Sequence, residues 1–410
     1  MPGTNFPTSY EDALRYDEID PLRNARHAFG IDEGVTYLVG HSLGPPTKHA
    51  LAQLRQTSEQ EWASGLVGSW NSANWINLPS IVGRKIARLI GVERDQVIVC
   101  DSVSINLFKL VGALLRHDGL AKRIVVQADE FPTDQYILEQ LAQIAGAKFI
   151  RCAQESALDQ ISQGGIFVRS LVDYKTAEIS PVERYETLAR ESGSIIVWDL
   201  SHATGVVDLE LKSWGVKFAV GCTYKYLNGG PGAPAFIYVD PDHVSNLETP
   251  LAGWLGHAKP FAFDPHYEPA EGVQRFVAGT PPILSMSALN AALDIFDEVS
   301  ITALSEKSQC LGDMCLSFFD KLGLESISPG VGTQRGGHVS LTHPFGYEIS
   351  RALSERGHKT DFRPPSTIRF GLSPLFLSYE DVWKTLQALE DILTTEAYRA
   401  DKFAVRQTVT

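Results

Sequence analysis

No stretch of this sequence reaches the ~18 consecutive apolar residues that a membrane-spanning helix needs. Positive charge is also short. Lys and Arg number 36 against 49 Asp and Glu, a formal net charge of −13. That balance argues against a nucleic-acid partner, which is met by a basic stripe, and against an anionic membrane surface. Cysteine is scarce and scattered: Cys100, Cys152, Cys222, Cys310 and Cys315 form no Cys-x-x-Cys pair. They read as reduced, mostly buried small hydrophobes, and no metal site is expected from their spacing. The first 26 residues are acidic and polar, without the charged-then-apolar pattern of a secretion signal, so a cytoplasmic protein is expected. Repeats and low-complexity tracts are missing. What remains is an ordinary globular composition, 44% hydrophobic and 21% charged over 410 residues. Such a chain is long enough for two or three domains and a sizeable core.

The middle of the chain has a regular rhythm. Short β-branched runs recur at Gln96–Cys100, Arg123–Gln127, Lys148–Cys152, Ile166–Val172, Ser194–Asp199, Lys217–Val220 and Ala235–Val239. Helix-like segments such as Ile105–Leu115, Thr133–Ile144 and Pro181–Glu191 lie between the earlier ones. This alternation predicts an α/β fold: a large domain whose mainly parallel, seven-stranded sheet is flanked by helices. The ends read differently. Val35–Gly44 looks like a strand running into a Gly/Pro turn, while helices are expected over Ser300–Leu322 and Tyr379–Tyr398, with short strands between. We expect residues 1–44 and 296–410 to meet as a smaller α/β domain beside a large domain of residues 45–295.

Ligands in open α/β sheets bind at the carboxyl ends of the strands, so the residues just after each run matter most. Gln96–Cys100 is followed by Asp101-Ser102-Val103-Ser104 and an apolar helix. Ser102 or Ser104 can cap that helix, and its free N–H groups suit a phosphate, although a plain cap is the commoner meaning. Arg123–Gln127 leads to Phe131-Pro132-Thr133-Asp134, where the aromatic can stack on a flat ligand or simply join the core. Asp199 closes an apolar strand, and a buried acid there is costly unless something binds its charge. Asp199 and His202 read as metal ligands, as a charge pair, or as an acid holding a protonated ring nitrogen. A metal lacks further ligands at sensible spacing.

The next strand ends in Thr223-Tyr224-Lys225, ahead of the Gly-rich Asn228-Gly229-Gly230-Pro231-Gly232. Because Lys225 precedes the glycines and no GK[ST] follows, this is no Walker loop, and a dinucleotide fingerprint is also missing. A lysine in such a pocket is a Schiff-base candidate, since desolvation favours its neutral form. A lysine for an aldehyde, an acid for a ring nitrogen and a helix dipole for a phosphate are together what pyridoxal phosphate needs. Near the C-terminus, Arg363 and Arg369 can each clamp a carboxylate or form an ordinary surface ion pair.

These segments together resemble the kynureninases. The resemblance runs from YLVGHSLGPP at 37–46 to STIRFGLSPLF at 366–376. Its most specific blocks are WDLSHATG at 198–205, AVGCTYKYLNGGPGAPAFIYV at 219–239 and LAGWLGHAKPFAF at 251–263. It implies the aspartate-aminotransferase fold (fold type I), pyridoxal phosphate as cofactor, and hydrolysis of L-kynurenine to anthranilate and L-alanine in tryptophan catabolism. By the same resemblance Lys225 carries the cofactor and moves the α-proton, Asp199 pairs with its ring nitrogen, and Tyr224 relays protons. Val103, Ser104, Phe131, Asp134, Ser170 and His202 are further cofactor contacts. Trp254 and Thr280 hold phosphate or substrate in a partner subunit's site, which implies a homodimer. Arg369 binds the substrate α-carboxylate, with His41, Ser42 and Trp70 in the substrate pocket.

The sequence departs from the family at His41, where asparagine is common, and at Val103, where threonine is common. Thr280 stands where animal members carry asparagine, which favours kynurenine over 3-hydroxykynurenine. Two other readings compete: a related fold-type-I enzyme on another β-oxo amino acid or of the cysteine desulfurase or aminotransferase kind, and a non-catalytic regulatory protein. A desulfurase needs an exposed cysteine on a mobile loop, whereas Cys310 and Cys315 sit in a helical pattern. A regulator of this type carries an added DNA-binding segment, which the acidic chain does not show.

Overall fold

The computed structural model describes residues 5–117 and 120–406. After a two-residue strand β1 (Thr36–Tyr37), seven strands build the central sheet: β2 (Val97–Val99), β3 (Arg123–Gln127), β4 (Lys148–Cys152), β5 (Gly165–Ser170), β6 (Ser194–Asp199), β7 (Phe218–Gly221) and β8 (Phe236–Val239). Their order is β2-β8-β7-β6-β5-β3-β4. The strands are parallel except β8, which runs against both β7 and β2. Both faces are covered, which is why the strands read as continuous apolar runs. Along β5, Ile166 and Val168 join one core while Phe167 joins the other, the two-residue period of a pleated strand.

The C-terminal part adds β9 (Glu325–Ser326), β10 (His338–Thr342), β11 (His358–Lys359), β12 (Asp361–Arg363) and β13 (Thr367–Gly371). Four of these form an antiparallel sheet in the order β12-β13-β10-β9. The fifth, β11, pairs in parallel with β1. The N-terminal helix Tyr10–Ile19 is tied to the same region. Asp17 accepts the Tyr379 and Glu380 N–H groups at 2.8 and 2.9 Å, capping the helix Tyr379–Thr394. Lys307 meets Asp20 at 2.6 Å in a buried ion pair.

Two sequence expectations change at their ends. The strand expected from Val35 shrinks to β1, because the chain turns early: the Ser42 N–H bonds back to the Val39 carbonyl at 2.9 Å. The last helix stops at Thr394, and Tyr398 falls in a separate 3-10 turn after Glu396, whose φ of 51° lies in the left-handed region.

Beneath the middle strand, Trp198 donates its indole N–H to buried Glu186 at 2.7 Å. Burial pushes the Glu186 carboxyl up from 4.5 to about 7, with the indole bond opposing that shift. A carboxyl raised in the folded state stabilises the fold while it stays protonated. That contribution is present in full below pH ~4.5 and is lost as pH rises through about 7. Glu186→Gln keeps an acceptor for Trp198 and removes the charge. It should stabilise the protein above pH 7 by up to about 3 kcal/mol and flatten the fall in Tm between pH 5 and 8. Calorimetry across that range checks it; a variant that melts earlier than wild type at pH 8 would sink the idea.

Candidate active site

Strands β2, β3, β5, β6 and β7 end along one edge of the sheet, the usual place for a ligand in such a fold. There a cavity of about 230 Å³ opens, lined by the residues that follow each strand. Val103, Ser104, Phe131, Asp134, Ser170, Asp199, His202, Tyr224 and Lys225 all border it. The helix Val103–Leu115 points its N-terminus at this space, and Ser102 caps it by accepting the Ile105 N–H at 3.4 Å. Phe131 precedes the helix Pro132–Ala145 and is 40% exposed toward the opening, edge-on to Tyr174 at 5.2 Å.

Lys225 sits in the tight turn after β7, where its carbonyl accepts the Asn228 N–H at 3.0 Å. Gly44 packs under that turn and donates its N–H to the Tyr224 carbonyl at 2.8 Å. A Cβ on Gly44 would lie 2.2 Å from the Lys225 carbonyl oxygen, so only glycine lets the two segments meet. Lys225 Nζ stands 3.4 Å from His202 Nδ1 and 5.6 Å from the centre of the Tyr224 ring. Burial, then the charges of Lys225 and Arg369, push His202 well below the ordinary imidazole range, so the ring is neutral. Burial also raises the Tyr224 phenol, which therefore stays protonated.

Asp134 and Asp199 lie at the floor, with Glu130 behind Ser170. Asp199 accepts the Ser201 N–H at 2.7 Å. Asp134 is driven well above the carboxylate range by burial, by Asp199 and by Glu130, and it shares a hydrogen bond with Asp199. Two such neighbours cannot both ionise. Asp134 is the one that keeps the proton. Glu130 is raised by burial too; it takes the Ser170 hydroxyl, the Ser170 N–H at 2.8 Å and the Phe131 N–H at 3.0 Å.

The remaining sequence-predicted residues lie off this cavity. Trp254 lines a separate surface cleft and is edge-on to Phe261. Thr280 borders a neighbouring cavity of about 280 Å³ that shares Asp101, Ser102 and Gly232 with the first. Arg369 is 1% exposed: its guanidinium bonds Asp361 at 2.8 and 3.4 Å and the Tyr174 carbonyl at 2.7 Å. His41 is buried, stacked on His338 at 5.2 Å and 3.9 Å from Asp361. Ser42 sits in the turn after β1, and Trp70 packs edge-on to Trp75.

Comparison with known proteins accounts for this arrangement. The chain is 40% identical to the kynureninase of Burkholderia mallei (strain SAVP1) over 98% of its own length and 99% of that protein. It is 37% identical to the kynureninase of Pseudomonas fluorescens, over 98% and 100%. The chain belongs to the kynureninase family. Residues 304–389 match the family model for the kynureninase C-terminal domain. Among solved structures, the apo cysteine desulfurase of Thermococcus onnurineus NA1 superposes with a TM-score of 0.78 at 17% identity, covering 96% of this chain and all of that one. A C-DES variant with glycine covalently linked to its PLP cofactor gives 0.74 at 16%, covering 89% and 99%. These neighbours share this chain's fold, the mainly parallel α/β architecture that the sequence rhythm predicts.

Tyr174, Ser201 and Cys222 also line the cavity and Glu130 supports it through Ser170, and sequence reasoning gave them no role. Glu130 stood in plain view beside Phe131, yet nothing marks it as the acceptor for Ser170 on another strand. Cys222 is buried, and its thiol lies 3.7 Å from the Ser201 carbonyl. It is not the exposed loop cysteine that a desulfurase needs.

Proposed function

We propose that this kynureninase-family protein hydrolyses the Cβ–Cγ bond of L-kynurenine, giving anthranilate and L-alanine, with pyridoxal phosphate held at Lys225. The observation that carries the reading is the meeting of Lys225, buried Asp199 and a capped helix N-terminus in one cavity. The donor set suits that cofactor in detail. An amine, a buried carboxylate and a capped helix N-terminus lie around one space, the groups that an aldehyde, a ring nitrogen and a phosphate require. Val103 and Ser104 would hold the phosphate through the helix N-terminus. Phe131 would cover the ring, Ser170 and His202 would flank it, and Asp199 would face its nitrogen.

When bound, pyridoxal phosphate supplies an aldehyde for an amine and a ring that takes up electron density from the substrate. The protein's own groups do the rest. Lys225 Nζ would hold the aldehyde end of the bound cofactor, and the same amine is placed to take the substrate α-proton. Neutral His202, 3.4 Å from Nζ, would orient it. Tyr224 keeps its phenolic proton and is the donor to the γ-carbonyl oxygen side as water adds and the carbon–carbon bond breaks. Arg369 retains one N–H on each terminal nitrogen beyond its bonds to Asp361 and Tyr174, enough for a carboxylate. His41, Ser42 and Trp70 would shape the wall around the aromatic end.

A homodimer with shared sites is part of the same reading. Trp254, Phe261 and Phe263 are exposed side by side, an aromatic patch of the kind that marks an interface. The patch would bring Trp254 to a partner's cavity, and Thr280 with it, since Gly253 packs directly on Ala278. A small domain made of residues 1–44 and 296–410 is supported by the β1–β11 pairing, which joins the two segments. A cytoplasmic setting suits five free cysteines.

The test is anthranilate fluorescence on adding L-kynurenine to the purified protein with pyridoxal phosphate. A saturable rise is expected. Silence with cofactor absorbance intact would move the substrate to another β-oxo amino acid, with His41 and Val103 the first positions to change.

A further inference from the structure

One charge interrupts the apolar helix that faces the cofactor cavity. The helix reads VSINLFKLVGALL, and its lysine, Lys109, is 0% exposed. A buried ammonium is costly unless its N–H groups find acceptors. Lys109 Nζ has three: Asp101 Oδ2 at 2.6 Å, the Phe276 carbonyl at 2.6 Å and Cys100 Sγ at 3.3 Å.

Asp101 is the telling partner. It borders the cavity one residue before the Ser102 cap, and its φ of 49° puts it in the left-handed region. Aspartate tolerates that region better than most residues, yet the conformation must still be held. The Asp101 carbonyl takes the Ala235 N–H at 2.8 Å, and Asn106 donates to the Cys100 carbonyl at 2.9 Å. Lys109 supplies the remaining tie. It also joins this turn to Phe276, a few residues before Thr280. A bare carboxylate here would stand beside the seat of a dianionic phosphate and repel it.

We propose that Lys109 is a positioning residue for the cofactor phosphate, neutralising Asp101 and holding the left-handed turn that presents Ser102–Ser104. This rests on the reading that the phosphate lies at that helix N-terminus. It is tested by binding rather than turnover, using pyridoxal phosphate and pyridoxal, which lacks the phosphate, with quenching of tryptophan fluorescence as the readout. K109M should weaken pyridoxal phosphate by ~10-fold or more, because two like charges are left facing each other. The same variant should bind pyridoxal within about threefold of wild type, since that ligand brings no phosphate charge. K109M/D101N, which has neither charge, should regain most of the lost affinity. If K109M alone does not fold, the double variant carries the comparison, and it should keep the wild-type preference for the phosphorylated ligand.

Three results would overturn the proposal: K109M with unchanged affinity, K109M weakened equally for both ligands, or a double variant without the preference. A wild-type protein that binds pyridoxal as tightly as pyridoxal phosphate would instead sink the placement of the phosphate itself. A wild-type preference that K109M retains would sink only the role of Lys109.

Discussion

Lys225→Ala is expected to lower kcat for anthranilate release by ~10⁴-fold or more, since one side chain both holds the cofactor and moves the α-proton. The lysine-linked visible absorbance should vanish with it. Cofactor binding itself should persist, because the helix N-terminus, Phe131 and Asp199 are untouched. Lys225 is the sole amine among the described residues lining the cavity, so no neighbour can take over. His202 stands 3.4 Å from Nζ, but its neutral ring offers no amine. A small primary amine added to the buffer should therefore return part of the activity by occupying the vacated space. A variant that turns over near the wild-type rate, or that keeps the lysine-linked spectrum, would overturn the assignment of Lys225.

Much of this architecture is legible in the sequence because buried parallel strands announce themselves. Arg123–Gln127, Lys148–Cys152 and Ser194–Asp199 match β3, β4 and β6 end to end, each a β-branched run bounded by polar residues. Direction is harder. The reversed β8 is as apolar as its neighbours, and its only signal is the Gly- and Pro-rich segment after Lys225, which leaves no helix for a parallel crossover. Cavity residues were legible where they follow a strand directly. Contacts between distant segments were not: Glu130 under Ser170 and Lys109 on the Phe276 carbonyl depend on tertiary placement. Arg369 lies between these cases. Register pairs it with Asp361 across β12 and β13, and a hairpin reading around Pro364-Pro365 would have found the ion pair.

The two acids at the cavity floor give the sharper test of the electrostatics. Asp199→Asn should cost ~10²–10³-fold in kcat, the usual effect of removing one preorganised electrostatic group from a site. Asparagine preserves the shape and can still accept the Ser201 N–H, but it cannot balance a protonated ring nitrogen. Asp134 makes the contrast. It is already held neutral by burial and by the charge of Asp199, so Asp134→Asn changes a neutral donor for another neutral donor. Loss within about tenfold is expected, the scale of one hydrogen bond. Asp134 cannot simply take over the charge in the Asp199→Asn variant, because burial, its largest perturbation, remains when the neighbouring charge is gone. Measuring kcat for both variants beside the cofactor absorbance separates the two roles. Equal losses would mean that the negative charge is shared between the acids, and a larger loss at Asp134 would reverse their assignment.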